Sequence, residues 1–473
     1  MSRADATYDL ITVGAGSAAF AAAIRAINLG ARVGMVERST IGGTCVNTGC
    51  IPSKNLLAAA ESYHRAGHHP FPGISTSQSG VDMSAVVKTK RNVVQMLRKR
   101  KYVDLAGLYG VDIIRGSGRF AGPDVIDVGG RRLEAARFLI ATGSAPRVPP
   151  LKGLKEAGYL TSTTAMRLEE HPESLLVIGG GYIGLELGQL FAHLGTKVTI
   201  VEALDRIAPF EEPEISRWMT RILGDQGIEV ATSAKVVQVE RGASKVLVAN
   251  AGAEVRRFEG SEVLIAMGRR PVLSGLDLDR AGVQTDEHGN LVLDDELRTT
   301  NNRIFAAGDV TGGPQFVYVA AAQGTLAAEN AIGGYGRKID YEALPRVTFT
   351  TPNIAAVGLT EVQAKNEGFD CECRTLELER ISRAIVSLDT RGAIKIVAER
   401  RTGKVLGIHA LGIHAIADNA GDAILAAVYA VKFGLTVQDL AAAWAPYLTM
   451  SEGIKLAAQS FAADVKNLSC CAA

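Results

Sequence analysis

Tyr8-Asp9-Leu10-Ile11-Thr12-Val13-Gly14-Ala15-Gly16-Ser17-Ala18-Ala19 is the stretch that decides the architecture of this chain. Six residues of strand character run into a glycine turn, and an alanine-rich helix follows to about Leu29. Ala31-Arg32-Val33-Gly34-Met35-Val36 then reads as a second strand that ends in Glu37. Strand, glycines, helix, strand and acid, in that order, make a dinucleotide-binding unit with alanine at its third small position. Gly14 makes the turn, Gly16 lets a pyrophosphate approach the backbone, and Ala19 permits close helix packing. Glu37 stands 23 residues after Gly14, where an acid binds ribose hydroxyls.

The pattern recurs. Leu175-Leu176-Val177-Ile178 leads into Gly179-Gly180-Gly181-Tyr182-Ile183-Gly184, a helix to about Leu194, and the strand Lys197–Val201 ending in Glu202. The glycine-to-acid interval is again 23 residues, so the nucleotide unit is duplicated and the chain is expected to hold two different dinucleotides. Each unit has a closing strand: Arg137–Ile140 before Ala141-Thr142-Gly143, and Glu262–Ala266 before Met267-Gly268-Arg269. Ile304–Ala307 leads to Gly308-Asp309, where a strand-end aspartate is placed to bond a polyol chain. Between the units, the reading from Glu61 to Gly116 is helical, with His64, His68 and His69 read as surface residues. From about Tyr341 no nucleotide pattern appears; strands and then helices predict a separate association domain.

Between the first unit and its helices lies Gly42-Gly43-Thr44-Cys45-Val46-Asn47-Thr48-Gly49-Cys50-Ile51-Pro52-Ser53-Lys54. Helical residues five apart diverge, so Cys45 and Cys50 meet only if the chain folds back between them, with Asn47 and Gly49 supplying a turn. A pair at a helix start lies near positive partial charge, which favours thiolate. A stapling disulfide and two unrelated thiols are the other readings of this pair; the setting favours a redox pair. Cys371 and Cys373 share one face of an expected strand, open to a metal-relay role or to none.

Composition narrows the function. A chain of 473 residues implies several domains, and 51 glycines against 15 prolines suit α/β turns. Net charge is +1, which gives no case for nucleic acid, and no apolar run reaches the ~20 residues of a membrane span. Six cysteines in this length are not a secreted disulfide framework, so a reducing, cytoplasmic setting is expected.

Two nucleotide units, Cys-x4-Cys, a Gly-Asp strand end and a C-terminal domain together resemble the flavin-dependent pyridine nucleotide–disulfide oxidoreductases along the whole chain. The resemblance implies an α/β fold with two Rossmann-like domains and an α+β dimerisation domain. Its boundaries would be 1–148 with 272–338 for FAD, 149–271 for NAD(P)H, and 339–473 for dimerisation. FAD would touch Gly14, Gly16, Ala19, Glu37, Gly43, Thr44, Lys54, Gly143 and Asp309. NAD(P)H would lie around Gly179, Gly181, Gly184 and Glu202, and Arg269 joins the cofactor contacts. The resemblance makes Cys50 the inner, flavin-facing thiol and Cys45 the outer one. It pairs Lys54 with Glu186 beside the flavin ring, and gives Tyr182 the gating of the nicotinamide pocket.

Members that reduce disulfides use a His-Pro-Thr…Glu motif near the C-terminus. Here the stretch is Ala445-Pro446-Tyr447-Leu448-Thr449-Met450-Ser451-Glu452, and Tyr447 takes the histidine position. A phenol with an ordinary pKa of ~10 is a poor base at neutral pH. That change, with Cys470-Cys471 at the tail, resembles the mercury(II)-reducing branch of the family. Neighbouring thiols capture a soft ion, and a chain end can carry it inward. The resemblance then implies detoxification: Hg(II), as thiol complexes, passes from the partner subunit's Cys470 and Cys471 to Cys45 and Cys50, in a homodimer whose Tyr447 also serves the opposite site. Glu202 favours NADH, the family NADPH, and Arg206 offsets the acid in part. No cysteine precedes Cys45, so the N-terminal metal-binding domain of many such proteins is expected to be absent. Two other functions stay open: a disulfide reductase, like thioredoxin reductase or lipoamide dehydrogenase, and a non-catalytic flavoprotein that sequesters soft metals.

Overall fold

The computed structural model describes residues 7–411 and 420–463. The chain forms two compact units: Met1–Asn55, Ser84–Arg147 and Gly268–Ile339 make the first, and Leu56–Met83, Val148–Met267 and Asp340–Ala473 the second.

The first unit is built on a mainly parallel sheet. Strand β1 (Thr7–Val13) is followed by helix α1 (Ser17–Asn28) and strand β2 (Val33–Glu37), which pairs parallel with β1, Leu10 opposite Val33. The strand Asp112–Arg115 extends the sheet beyond β2, and Arg131–Ile140 pairs parallel on the other side of β1. Ile304–Ala306 adds to the far side of Arg131–Ile140, returning a distant segment to the nucleotide sheet. The strands read as near-continuous apolar runs because both faces are covered, as parallel sheets require. Leu10, Met35, Leu139 and Phe305 pack on the α1 side, while Ile11, Val13, Phe138 and Ile140 fill the other core. The alanines of α1 have a geometric cause. Helix Val317–Ala328 approaches so closely that a Cβ on Gly324 would stand 2.1 Å from the Ala18 carbonyl oxygen.

The cysteines lie on two successive helices, α2 (Gly43–Thr48) and α3 (Cys50–Gly67). The helical expectation for 61–116 holds only in pieces. Residues 68–82 form no helix or strand, because Pro70, Pro72 and Gly73 interrupt the pattern, and helix resumes at α4 (Met83–Arg98). Helix α5 (Asp104–Tyr109) then ends at Gly110, and the strand begins at Asp112.

The second unit repeats the first architecture. Ser174–Ile178, Lys197–Val201 and Glu229–Ala231 pair in parallel, with Glu262–Ile265 and Leu160–Thr161 on the opposite side. Helix Tyr182–His193 packs against this sheet, and an antiparallel three-stranded sheet spans Lys235–Gly260. Its C-terminal part is an antiparallel five-stranded sheet in the order Arg346–Thr348, Ile354–Gly358, Val405–Leu411, Ala393–Glu399, Cys371–Glu377. Helices Ala420–Lys432 and Glu452–Gln459 cover it through Ile424, Ala427, Ile454 and Ala457. Among the described residues, no helix is long and apolar enough to cross a membrane.

Candidate active site

The two dinucleotide loops have nearly the same backbone. Gly14 and Gly179 both sit at φ 112°, in the region open to glycine. A Cβ at Gly14 would stand 2.4 Å from the Ala141 carbonyl oxygen, and one at Gly179 would stand 2.6 Å from that of Ala266. Gly16 and Gly181 are extended N-caps, and among the described residues no side chain caps either helix. Uncapped N–H groups at a helix start, bared by small residues, are the donor set a pyrophosphate takes. Ala19 is fully buried, and a Cβ at Gly184 would stand 1.9 Å from the Gly179 oxygen, so both third positions need small residues.

The strand-end acids also match. Glu37 Oε2 accepts from Ala15 N at 3.1 Å, and its Oε1 accepts from Ser39 N at 2.7 Å. Glu202 Oε2 accepts from Gly180 N at 2.6 Å, and its Oε1 accepts from Leu204 N at 2.8 Å. Each carboxylate therefore closes its own glycine loop, a task that spacing alone does not reveal. Arg206 donates from Nη2 to Pro209 O at 3.0 Å, while its buried Nε has no hydrogen-bond partner among the described residues.

The cysteine segment is pinned to the first loop. Gly42 N donates to Ala15 O at 2.7 Å, and a Cβ on Gly43 would meet Gly16 Cα at 2.6 Å. Thr44 follows in α2. Cys45 and Cys50 come together by a route other than the expected turn. The residues between them are helical, and the break is confined to Gly49, whose φ −127°, ψ −111° lies outside helical space. Asn47 is an anchor rather than a turn residue: its Nδ2 donates to Ile41 O at 3.0 Å and Gly43 O at 2.8 Å, and its Oδ1 accepts from Arg98 at 3.1 Å.

Both thiols are partly exposed, and Cys45 hydrogen-bonds Cys50. That bond, then burial, raises the Cys45 pKa far above the ordinary thiol range, with the Lys54 charge working in the opposite direction. The expectation that helix position would favour thiolate therefore fails for Cys45. Cys50, the first residue of α3, is the one at a helix start, and Cys45 lies inside the preceding helix.

Sequence reading missed Ser144 in this unit. Its Oγ donates to Asp309 Oδ2 at 2.6 Å and accepts from Arg269 Nε at 2.7 Å, while Arg269 Nη2 donates to the Ser144 carbonyl at 2.7 Å. Burial lowers the Arg269 pKa, against the pull of Asp309 and Cys50. Arg269, Ser144 and Asp309 thus form one cluster in the first unit, following Gly143, whose φ is 69°. A second missed residue is Tyr102, whose hydroxyl lies 3.3 Å from Ser17 Oγ and whose ring meets Phe20 edge-on. The only signal for either was position, Ser144 just after Ala-Thr-Gly and Tyr102 in a polar helical run.

In the second unit Tyr182 begins the helix after Gly181. Its pKa is pushed up to about 12, by burial first and then by the charge of Glu211, which Arg346 partly offsets. Arg346 lies 3.4 Å from Glu211. Glu186, one turn on, is buried and accepts from Phe349 N at 2.9 Å. Tyr447 is 54% exposed on the loop before helix Glu452–Gln459, where Glu452 Oε2 accepts from Leu448 N at 3.2 Å. Cys470 and Cys471 lie outside the described residues.

Two dinucleotide loops and a hydrogen-bonded dithiol at the first of them define a flavin- and nicotinamide-dependent dithiol oxidoreductase. The family model for pyridine nucleotide-disulphide oxidoreductases matches residues 8–324, and that for their dimerisation domain matches 344–458. The chain belongs to the pyridine nucleotide-disulphide oxidoreductase family. Two relatives are more particular. A mercuric reductase of Streptomyces lividans is 51% identical over 479 residues, covering all of both chains. One of Bacillus cereus is 49% identical over 98% of this chain and 73% of its own length. Among solved structures, the Cu(II) complex of an HOCl-induced flavoprotein disulfide reductase of Escherichia coli superposes with a TM-score of 0.85 at 30% identity, covering 96% of this chain and 99% of that one.

Proposed function

We propose that this chain is a mercury(II) reductase acting in detoxification, in which Cys45 and Cys50 hold Hg(II) while two electrons from NAD(P)H reduce it to Hg(0). The observation that carries this reading is end-to-end identity of 51% with a mercuric reductase, in a chain whose Cys45 and Cys50 are hydrogen-bonded to each other. FAD, when bound, supplies the relay between the nicotinamide hydride and the metal held by the thiols.

The residues divide the work as follows. In the FAD domain (1–148 and 272–338), Gly14, Gly16 and the α1 amides receive the pyrophosphate, Glu37 the ribose, and Asp309 with Ser144 the polyol side, steadied by Arg269 at the end of the adjoining segment. In the NAD(P)H domain (149–271), Gly179, Gly181 and Gly184 do the same for the nicotinamide dinucleotide, with Tyr182 covering its ring pocket and Glu186 and Lys54 setting charge near the flavin. Hg(II) arrives on two small thiolates, is taken by the partner subunit's Cys470 and Cys471, and passes by thiolate exchange to Cys45 and Cys50. The Cys45 proton leaves as its sulfur bonds the metal, helped by the Lys54 charge. After two-electron reduction Hg(0) departs and both sulfurs are freed. A homodimer formed through 339–473, in the reducing cytoplasm, completes the reading.

Glu202 speaks for NADH, because a buried carboxylate repels a 2′-phosphate. The test is Hg(II)-dependent oxidation of NADH and of NADPH in excess small thiol, with volatile mercury collected. Stimulated oxidation with mercury release is expected; no stimulation by Hg(II) with either nicotinamide overturns the function. A much higher kcat/KM for NADPH overturns only the Glu202 reading.

A further inference from the structure

Outside the proposed active site, one pair of nucleophiles is unused. Cys371 and Cys373 lie on strand Cys371–Glu377, at the edge of the C-terminal sheet, paired on one side only with Ala393–Glu399. Strand alternation puts both side chains on one face, and the two thiols hydrogen-bond each other. Behind them pack Ala364, Val397 and Leu406. In front lies a cavity of about 600 Å³, lined by these two cysteines, Glu361, Lys365, Glu372 and Lys395 among others. Burial, then Glu361 and Cys371, push the Cys373 thiol up to about 12, so it meets a ligand in its protonated form.

We infer that Cys371 and Cys373 form a further binding site for a thiophilic, two-coordinate metal ion, for which Hg(II) is the probe. Three facts point to that class. An extended strand rises about 3.3 Å per residue, which sets the two Cα atoms about 6.6 Å apart, at the upper end of the disulfide range. The pair is therefore poorly placed to close on itself, whereas an ion between the sulfurs spans a wider gap. Among the described residues no group of three or more His, Cys, Asp or Glu is arranged to hold a metal, which removes the four-ligand shell that Zn(II) takes. The cationic side chains at the cavity are already committed: Lys395 Nζ lies 2.8 Å from Glu361 and 3.0 Å from Glu212, and Lys365 pairs with Glu361 at 2.6 Å. What remains for a soft cation is the sulfur pair. On binding, two S–H bonds give up their protons to water, two S–metal bonds form, the ion sheds two chlorides or small thiolates, and no electron moves.

The site stands whether or not the chain turns Hg(II) over, and its test needs no turnover. The FAD-loaded Cys45→Ala/Cys50→Ala/Cys470→Ala/Cys471→Ala variant keeps only Cys371 and Cys373 as thiols. Dialysed against HgCl2, it is expected to retain one Hg(II) per chain and no Zn(II) from ZnCl2. Adding Cys371→Ser/Cys373→Ser is expected to take retention to zero. No retained Hg(II) in the first variant, or unchanged retention in the second, overturns the site. Flavin absorbance reports folding. Should the first variant not fold, Cys371→Ser/Cys373→Ser in the otherwise intact holoprotein is expected to bind one Hg(II) fewer than the parent, and equal stoichiometry overturns it.

Discussion

Cys45 sits where two electrostatic effects oppose each other. Its hydrogen bond to Cys50 and its burial hold the proton on, and the Lys54 charge loosens it. Cys45 in that balance stays protonated at rest and gives up the proton when a metal competes for the sulfur. Cys50→Ser removes one of the two ligands, so Hg(II) turnover should fall by more than about 100-fold while NAD(P)H still bleaches the flavin. Stopped-flow absorbance separates the two, and loss of bleaching would place Cys50 in the reductive half instead. At Gly184 the issue is space. An added methyl would stand 1.9 Å from the Gly179 oxygen, a backbone atom that cannot swing away. Gly184→Ala should cost about 1–3 kcal/mol by overpacking and raise KM for NAD(P)H with FAD content unchanged. Denaturant midpoints and nicotinamide kinetics check both halves.

At the scale of elements, one side-chain amide adds to the backbone contacts that hold the cysteine segment. Asn47 ties α2 to the preceding loop and, through Arg98, to α4. Asn47→Ala leaves those backbone carbonyls short of a donor, at a cost of about 1–3 kcal/mol, and should make alkylation of Cys45 and Cys50 faster than in the parent. On α3, His64 stacks on His68 at 4.2 Å and on His193 at 4.0 Å. Burial first, then His68, lowers its pKa from 6.5 to about 4. Between those values the unfolded chain binds a proton that the folded chain does not, so stability falls as pH drops through that window. Urea midpoints of His64→Gln should be flatter than the parent's from pH 6.5 to 4; equal slopes would remove the histidine stack as the cause. Of the histidines read as surface from sequence, His68 is exposed, whereas His64 is packed, because its partner His193 comes from a helix 129 positions away.

That contrast states how much the sequence carried. The glycine loops were legible because each is a local device: a φ only glycine adopts freely, beside a strand and before a helix. The Cys45/Cys50 pair was legible as a pair, but its geometry was not, since a single non-helical residue at Gly49 does what a turn was expected to do. Ser144 was invisible because its partners Asp309 and Arg269 lie 165 and 125 positions along the chain. In the C-terminal region, Leu425, Tyr429 and Phe433 follow a four-residue spacing on helix Ala420–Lys432 and its end, with Phe433 71% and Trp444 98% exposed. Apolar surface of that size marks an interface. Tyr429→Glu with Phe433→Glu should convert the expected dimer to monomer in sedimentation and abolish Hg(II) turnover while flavin stays bound; a dimer that persists would move the interface elsewhere.

One carboxylate in each nucleotide loop couples two properties that protein engineers treat separately. Glu202 faces the ribose in the proposed binding mode, yet both its oxygens already fasten the loop, at Gly180 and Leu204. Retuning cofactor preference by replacing that acid therefore unfastens the loop that grips the cofactor, and a switch towards phosphate would arrive as a looser enzyme. The better lever is the neighbouring Arg206, whose Nε is buried without a hydrogen bond among the described residues, since altering it leaves the fastening intact.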